Sequence, residues 1–134
     1  MPKRAYVFDS HALLKFFQKE KGHEKVARLL EEISKKGGTK YINAINIGEI
    51  ISTTKREFGD QKKLEVLANI ERLQFTVLPV PNTVIFQAAE YKAQYNISYA
   101  DCFVLASALE HSAAIVTGDP DFKKVGHLVE IIWV

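Results

Sequence analysis

Short apolar runs alternate with amphipathic helical segments along this chain. That alternation predicts an α/β protein with three layers, a mostly parallel central sheet carrying helices on both faces. Glycine, proline and lysine-rich turns separate the segments. Acidic residues fall just past predicted strands or near helix starts, at the edge where such sheets bind ligands.

The elements follow in order. Ala5–Phe8 is a short buried strand. Ser10 can cap a helix running to about Gln18, with Leu13, Leu14 and Phe17 on one face. Gly22 breaks it, and Val26, Leu29, Leu30 and Ile33 mark a second helix over Glu24–Ser34. Lys35-Lys36-Gly37-Gly38 is a turn before a strand at Lys40–Ile42. Asn43 can cap a helix to about Phe58, ended by Gly59. Asp60 can cap the next, which carries Leu64, Leu67, Ile70 and Leu73. A strand is expected over Gln74–Val80, bounded by prolines, and a helix from Asn82 to about Tyr95. Tyr99–Glu110 reads as a strongly apolar, central helix. Ala114–Thr117 is a strand, Gly118–Asp121 a turn followed by a short helical turn, and Val129–Trp133 the last strand.

With 134 residues the chain is expected to form one domain spanning residues 1–134, long enough to bury a substantial core. Its 47% hydrophobic and 25% charged residues are ordinary for a soluble globular protein. No apolar run approaches the ~20 residues of a membrane span. The N-terminal apolar stretch stops at Asp9, too short for a signal peptide. One cysteine, Cys102, can form neither an internal disulfide nor a thiolate zinc site, and the chain reads as cytoplasmic. The net charge of +2 is mild. If acids gather in one pocket, however, Lys3, Arg4, Lys15, Lys19, Lys21, Lys35, Lys36, Lys40, Lys55 and Arg56 become candidates for a phosphate-attracting rim.

Four acids stand in apolar surroundings. Asp9 ends Ala5-Tyr6-Val7-Phe8, Glu49 lies within Ile45–Ile51, Asp101 within Tyr99–Leu105, and Asp119 follows Ile115-Val116-Thr117-Gly118. Singly, each has an ordinary explanation: a cap for Asp9, a semi-buried polar pair for Asn46 and Glu49, a turn for Asp119 and Asp121. Asp101 is the hardest to explain away. Its helix is the most hydrophobic in the chain, and the nearest basic residues in sequence are Lys92 and His111. If the four meet, bound cations must offset their repulsion. Carboxylates of that number suit Mg²⁺ or Mn²⁺, whose usual chemistry is phosphoryl transfer or phosphodiester hydrolysis. The four histidines show no metal-ligand spacing, Cys102 reads as core, and Trp133 as core or interface.

Strand-Asp9-Ser10, Asn46-x-x-Glu49, Ala100-Asp101 and Val116-Thr117-x-Asp119-x-Asp121-Phe122 together resemble the PIN-domain nucleases. The match is closest to the single-domain VapC-type toxins of toxin–antitoxin pairs, over essentially the whole chain. The resemblance implies that Asp9, Glu49, Asp101 and Asp119 form an acidic quartet holding one or two Mg²⁺ or Mn²⁺ ions. It implies an auxiliary role for Asp121, an orienting role for Asn46 beside Glu49, and supporting hydroxyls at Ser10 and Thr117. His11 departs from the small or apolar residue common at that place.

The function so implied is a metal-dependent endoribonuclease, with RNA substrate, a small antitoxin partner, a homodimer and no membrane. Two alternatives are an RNA-processing enzyme outside a toxin system and a non-cleaving RNA-binding or scaffold domain. A flavodoxin-like phosphoacceptor domain would need a second acid where Ser10 stands and a lysine after Thr117. A haloacid-dehalogenase-type phosphatase would need Asp-x-Asp, and Asp9-Ser10-His11 lacks it.

Overall fold

A computed structural model of the chain describes residues 3–134. Five strands, β1 (Ala5–Phe8), β2 (Thr39–Asn43), β3 (Thr76–Leu78), β4 (Ala114–Thr117) and β5 (Ile131–Trp133), form one sheet in the order β3-β2-β1-β4-β5. Every neighbouring pair is parallel, with Val7 opposite both Tyr41 and Ile115. Six helices accompany them: α1 (Ser10–Phe17), α2 (His23–Lys35), α3 (Ala44–Phe58), α4 (Asp60–Arg72), α5 (Asn82–Gln94) and α6 (Tyr99–Glu110).

Side-chain alternation on the inner strands decides the layering. Tyr6 and Phe8 point to one face, where they pack with Leu13, Leu30, Ile50 and Ile70 of α1 to α4. Val7 points to the other, among Val84, Ala88, Val104 and Leu105 of α5 and α6. In β4, Ala114 and Val116 join the first face and Ile115 the second. Strands buried on both sides must be largely apolar, as β1 is and as β4 is up to Thr117, whose buried hydroxyl is bonded to Asp9. α6 is correspondingly unusual for a helix, since Asp101 to Ala108 are all buried. The fold is a three-layer α/β/α sandwich. No helix among the described residues is long and apolar enough to cross a membrane.

The chain winds outward from β1 through β2 to β3, then returns to lay β4 and β5 on β1's other side. The winding therefore reverses between β1 and β4. Crevices for ligands form beyond the C-terminal ends of strands at such a point. Asp9 leaves β1 there, and Thr117-Gly118-Asp119 leaves β4 beside it.

Several expected details shift. Asp9 rather than Ser10 caps α1. Asp60 lies in the first turn of α4 rather than capping it. The preceding position is Gly59, at φ +89°, which lets α3 and α4 follow each other without a linker. β3 is limited to Thr76–Leu78, short of the expected Gln74–Val80: Gln74 turns at φ 62°, and Pro79 and Pro81 have no N–H to donate. Asn43 caps α3 as expected. Lys40, counted above among rim cations, is buried at 4% exposure, its Nζ donating to Ser34 Oγ at 2.8 Å.

Candidate metal centre

The crevice is organised by hydroxyls and amides before any carboxylate is free. Asp9 is 1% exposed. Its Oδ1 accepts the Ala12 N–H at 2.8 Å, the ordinary first-turn cap, and its Oδ2 accepts the hydroxyl of Thr117. Thr117 Oγ1 in turn accepts the Asp119 N–H at 2.9 Å, and Asp119 Oδ1 accepts the Asp121 N–H at 2.9 Å. One chain of hydrogen bonds thus ties the end of β1 to the turn after β4. The Asp119–Asp121 bond starts the 3₁₀ segment Pro120–Val125, anchored by buried Phe122.

The other side of the crevice is set by α3. Asn43 Oδ1 accepts both the backbone N–H of Asn46 (2.8 Å) and its side-chain amide (2.9 Å). Asn46 Oδ1, so fixed, accepts the Ser10 N–H at 2.7 Å. Ser10 Oγ donates to Glu49 Oε1 at 3.0 Å. The resemblance implies that Asn46 orients Glu49. The hydrogen bonds between the two run through Ser10, because the Asn46 amide is engaged by Asn43 and the α1 backbone. Asn43 is thus a cap and a positioning residue at once, a second role that a capping pattern alone does not signal.

Asp101 enters from α6, whose start is capped by Ser98 Oγ accepting the Asp101 N–H at 3.1 Å. Its carboxylate, with those of Asp119 and Asp121, offers oxygens all within 4.8 Å of one another. Asp9 and Glu49 lie outside that group, held on Thr117 and Ala12 and on Ser10 respectively. Asp101 Oδ2 is buried with no hydrogen-bond partner. Asn43 Nδ2 and Thr54 Oγ1 are in the same position among the described residues, and Asp101 supplies the one carboxylate. A buried acid is costly unless it is protonated, paired or bound to a cation. Burial, then the facing Asp119 carboxylate and more weakly Asp9, push the Asp101 carboxyl up to about 8. Burial also raises Asp9, against the opposing bonds from Thr117 and Ala12.

The donor set is all oxygen and all acidic, with one buried oxygen lacking a partner. It fits a hard divalent cation of the Mg²⁺ or Mn²⁺ kind. Asp101, Asp119 and Asp121 are the residues placed to hold one directly. Asp9 lies near Asp101 and Asp119, and Glu49 is tied to the residue after Asp9 through Ser10. Lys124, 3.4 Å from Asp121, is the one cation paired with this group among the described residues.

No curated protein sequence matches the chain. Among solved structures, VapBC2 from Rickettsia felis, bound to a promoter DNA fragment, aligns at TM-score 0.78 and 16% identity, covering 96% of this chain and 97% of that one. VapC20 of Mycobacterium tuberculosis, described as a Sarcin-Ricin loop cleaving toxin, aligns at TM-score 0.75 and 17% identity, over 90% and 95% of the two chains. FitAcB from Neisseria gonorrhoeae aligns at 0.68 and 21%, over 95% and 96%. These likenesses show the shared fold. The PIN domain family itself matches residues 6–128, nearly the whole sequence, and with the acids standing at the ends of β1 and β4 and at the start of α6, the chain belongs to the PIN-domain family of nucleases.

Proposed function

We propose that the chain is a Mg²⁺- or Mn²⁺-dependent endoribonuclease, working as a single domain in the cytoplasm as the toxin of a toxin–antitoxin pair. The observation that carries the metal-dependent reading is the Asp101–Asp119–Asp121 group, with its buried, unpartnered oxygen. Asp101, Asp119 and Asp121 would hold the cation, and Asp9 and Glu49 would complete its surroundings through water or small side-chain movements. A divalent cation so held supplies an activated water and a clamp on phosphoryl oxygens.

The protein's own groups do the rest. Thr117 holds Asp9 in one rotamer and fixes the turn carrying Asp119. Ser10, itself held by Asn46, holds Glu49. Such outer partners set ligand orientation. Single-stranded RNA suits the crevice, because a splayed strand can bring one phosphodiester into a narrow acidic cleft. The antitoxin partner is supported by the company the fold keeps, which includes a structure described as a toxin–antitoxin complex from Klebsiella pneumoniae and a member of the VapBC family of toxin–antitoxin systems from Mycobacterium tuberculosis; the homodimer rests on the sequence resemblance alone.

Purified protein should hydrolyse single-stranded RNA with Mg²⁺ or Mn²⁺ and stop when chelator is added. Full activity in chelator would overturn the metal reading. Expression of the chain alone should arrest bacterial growth, and the Asp101→Asn form should not. Normal growth with abundant active enzyme would point to RNA processing outside a toxin system.

A further inference from the structure

Helix α1 carries more than the cap at its start. His11 and Lys15, four residues apart, share one of its faces. With Glu20, Gly118, Asp119 and Pro120 they line a cleft of about 320 Å³. Asp119 belongs both to this cleft and to the carboxylate group, so Lys15 and His11 share a wall with one of the acids.

Lys15, like Lys92 and Lys124, is held by a main-chain oxygen. Its Nζ donates to the Val134 backbone carbonyl at 2.9 Å, across most of the sequence. The ammonium also lies over Gly118, where an added Cβ would meet both Lys15 Nζ and the Val134 carbonyl at 2.9 Å. Only glycine allows the turn bearing Asp119 to come this close to the lysine. Six other lysines, Lys35, Lys36, Lys55, Lys62, Lys63 and Lys124, pair with carboxylates. Among the described residues Lys15 pairs with no Asp or Glu side chain. An ammonium has three donors, and Lys15 engages one of them on Val134. His11 is exposed at the mouth.

We propose that His11 and Lys15 form a second subsite, which binds the backbone phosphate next to the scissile one in a single-stranded RNA. The inference rests on the nuclease reading and adds the direction in which the strand leaves the acidic centre, along α1. A cation fixed in place beforehand loses little freedom on binding, so its contact is worth more than that of a waving surface lysine. Glu20 and Asp119 also face the cleft and weaken it for a free anion. A strand already anchored at the acidic centre is therefore the ligand, and the probe must be a strand.

The test is a series of single-stranded RNA oligonucleotides, each with one linkage replaced by an uncharged methylphosphonate on either side of the cleaved bond. In the wild type, one flanking replacement should raise KM roughly tenfold, the scale of one hydrogen bond to a charged group. His11→Ala and Lys15→Met should each raise KM for the unmodified strand. Each should also reduce or abolish the further effect of that same replacement, and Lys15→Met should lower the salt dependence of binding by about one phosphate contact. Melting curves check Lys15→Met, which loses its bond to Val134. His11→Ala, an exposed position, carries the test if that variant folds poorly. A wild type that cleaves but is indifferent to every flanking linkage overturns the subsite. So do variants that remain as sensitive as the wild type. A wild type that cleaves no RNA overturns the nuclease reading, and the subsite with it.

Discussion

Asp101 and Lys40 are both buried ionisable residues, 6% and 4% exposed, and the protein treats them in opposite ways. Lys40 sits in β2, away from any carboxylate. Its ammonium reaches out to the Ser34 hydroxyl and lies 6.0 Å from the Phe75 ring centre. Burial alone lowers its pKa. It is a long stem covering apolar surface with a polar tip that finds a partner. Asp101 has a short side chain that cannot reach out. Its Oδ2 has no partner, and the acids nearest to it make matters worse. A fold that can satisfy a buried lysine with one serine leaves the aspartate unsatisfied at the point where the sheet's winding reverses. The difference teaches where the unpaired buried carboxylate is: among the described residues it lies in the crevice, where a cation would relieve it.

The largest test of that contrast is catalytic. Asp101→Asn should lower metal-dependent cleavage at least about 10²-fold, the usual scale for removing one charged group that acts on a reaction's developing charge. Lys40→Met should cleave as the wild type does. Equal losses in both variants would erase the distinction between a functional and a structural buried charge.

A smaller effect is expected one bond further out. Thr117→Val keeps the shape but removes the hydroxyl that Asp9 accepts and that receives the Asp119 N–H. Metal affinity, read by calorimetry with Mn²⁺, should fall about 10- to 100-fold. An unchanged affinity would mean that the carboxylates are positioned without this bridge.

The stability test separates strain from simple burial. A carboxyl whose folded pKa is about 8, against an ordinary 3.8, takes up a proton on folding anywhere between the two. The metal-free protein should therefore gain stability as pH falls from about 8 toward 4, and lose it as pH rises through that window. Asp101→Asn should flatten this slope and raise the melting temperature in chelator near neutral pH. The gain should be about 1 kcal/mol, or a few degrees. Mg²⁺ should stabilise the wild type by mass action and the variant less. A variant several degrees less stable in chelator would make Asp101 a structural acid.

Lys40→Met should have the least effect, within about 1 kcal/mol of the wild type, since no carboxylate is left unpaired by its loss. The sign of its pH dependence is opposite in kind. A lysine with a lowered folded pKa releases its proton on folding, so its contribution grows as pH rises toward the ordinary 10.5. Thermal melts of the two proteins at alkaline pH would show it.

Much of this was legible in the residues. The alternation of apolar runs with helical periodicity determined the α/β class, the parallel sheet and nearly every element. Tyr99–Glu110 was expected with its observed limits, and Asn43 caps α3 as its type and place suggest. These features are local: a cap needs three residues and a helix face needs eight. The acids could likewise be picked out singly, because carboxylates in apolar runs are conspicuous against lysine-rich surface. Tertiary structure decided which of them come together. Asp121, expected as an auxiliary, stands in the tight group with Asp101 and Asp119, while Asp9 and Glu49 are turned to Thr117 and Ser10. That choice depends on the register of β1 against β4, on the Asp119–Asp121 bond that winds the 3₁₀ turn, and on an Asp9–Thr117 contact spanning 108 residues. Hydrophobic periodicity places elements to within a few residues. Which carboxylates face one another depends on side-chain rotamers and long-range register, and these exist only once the sheet has closed.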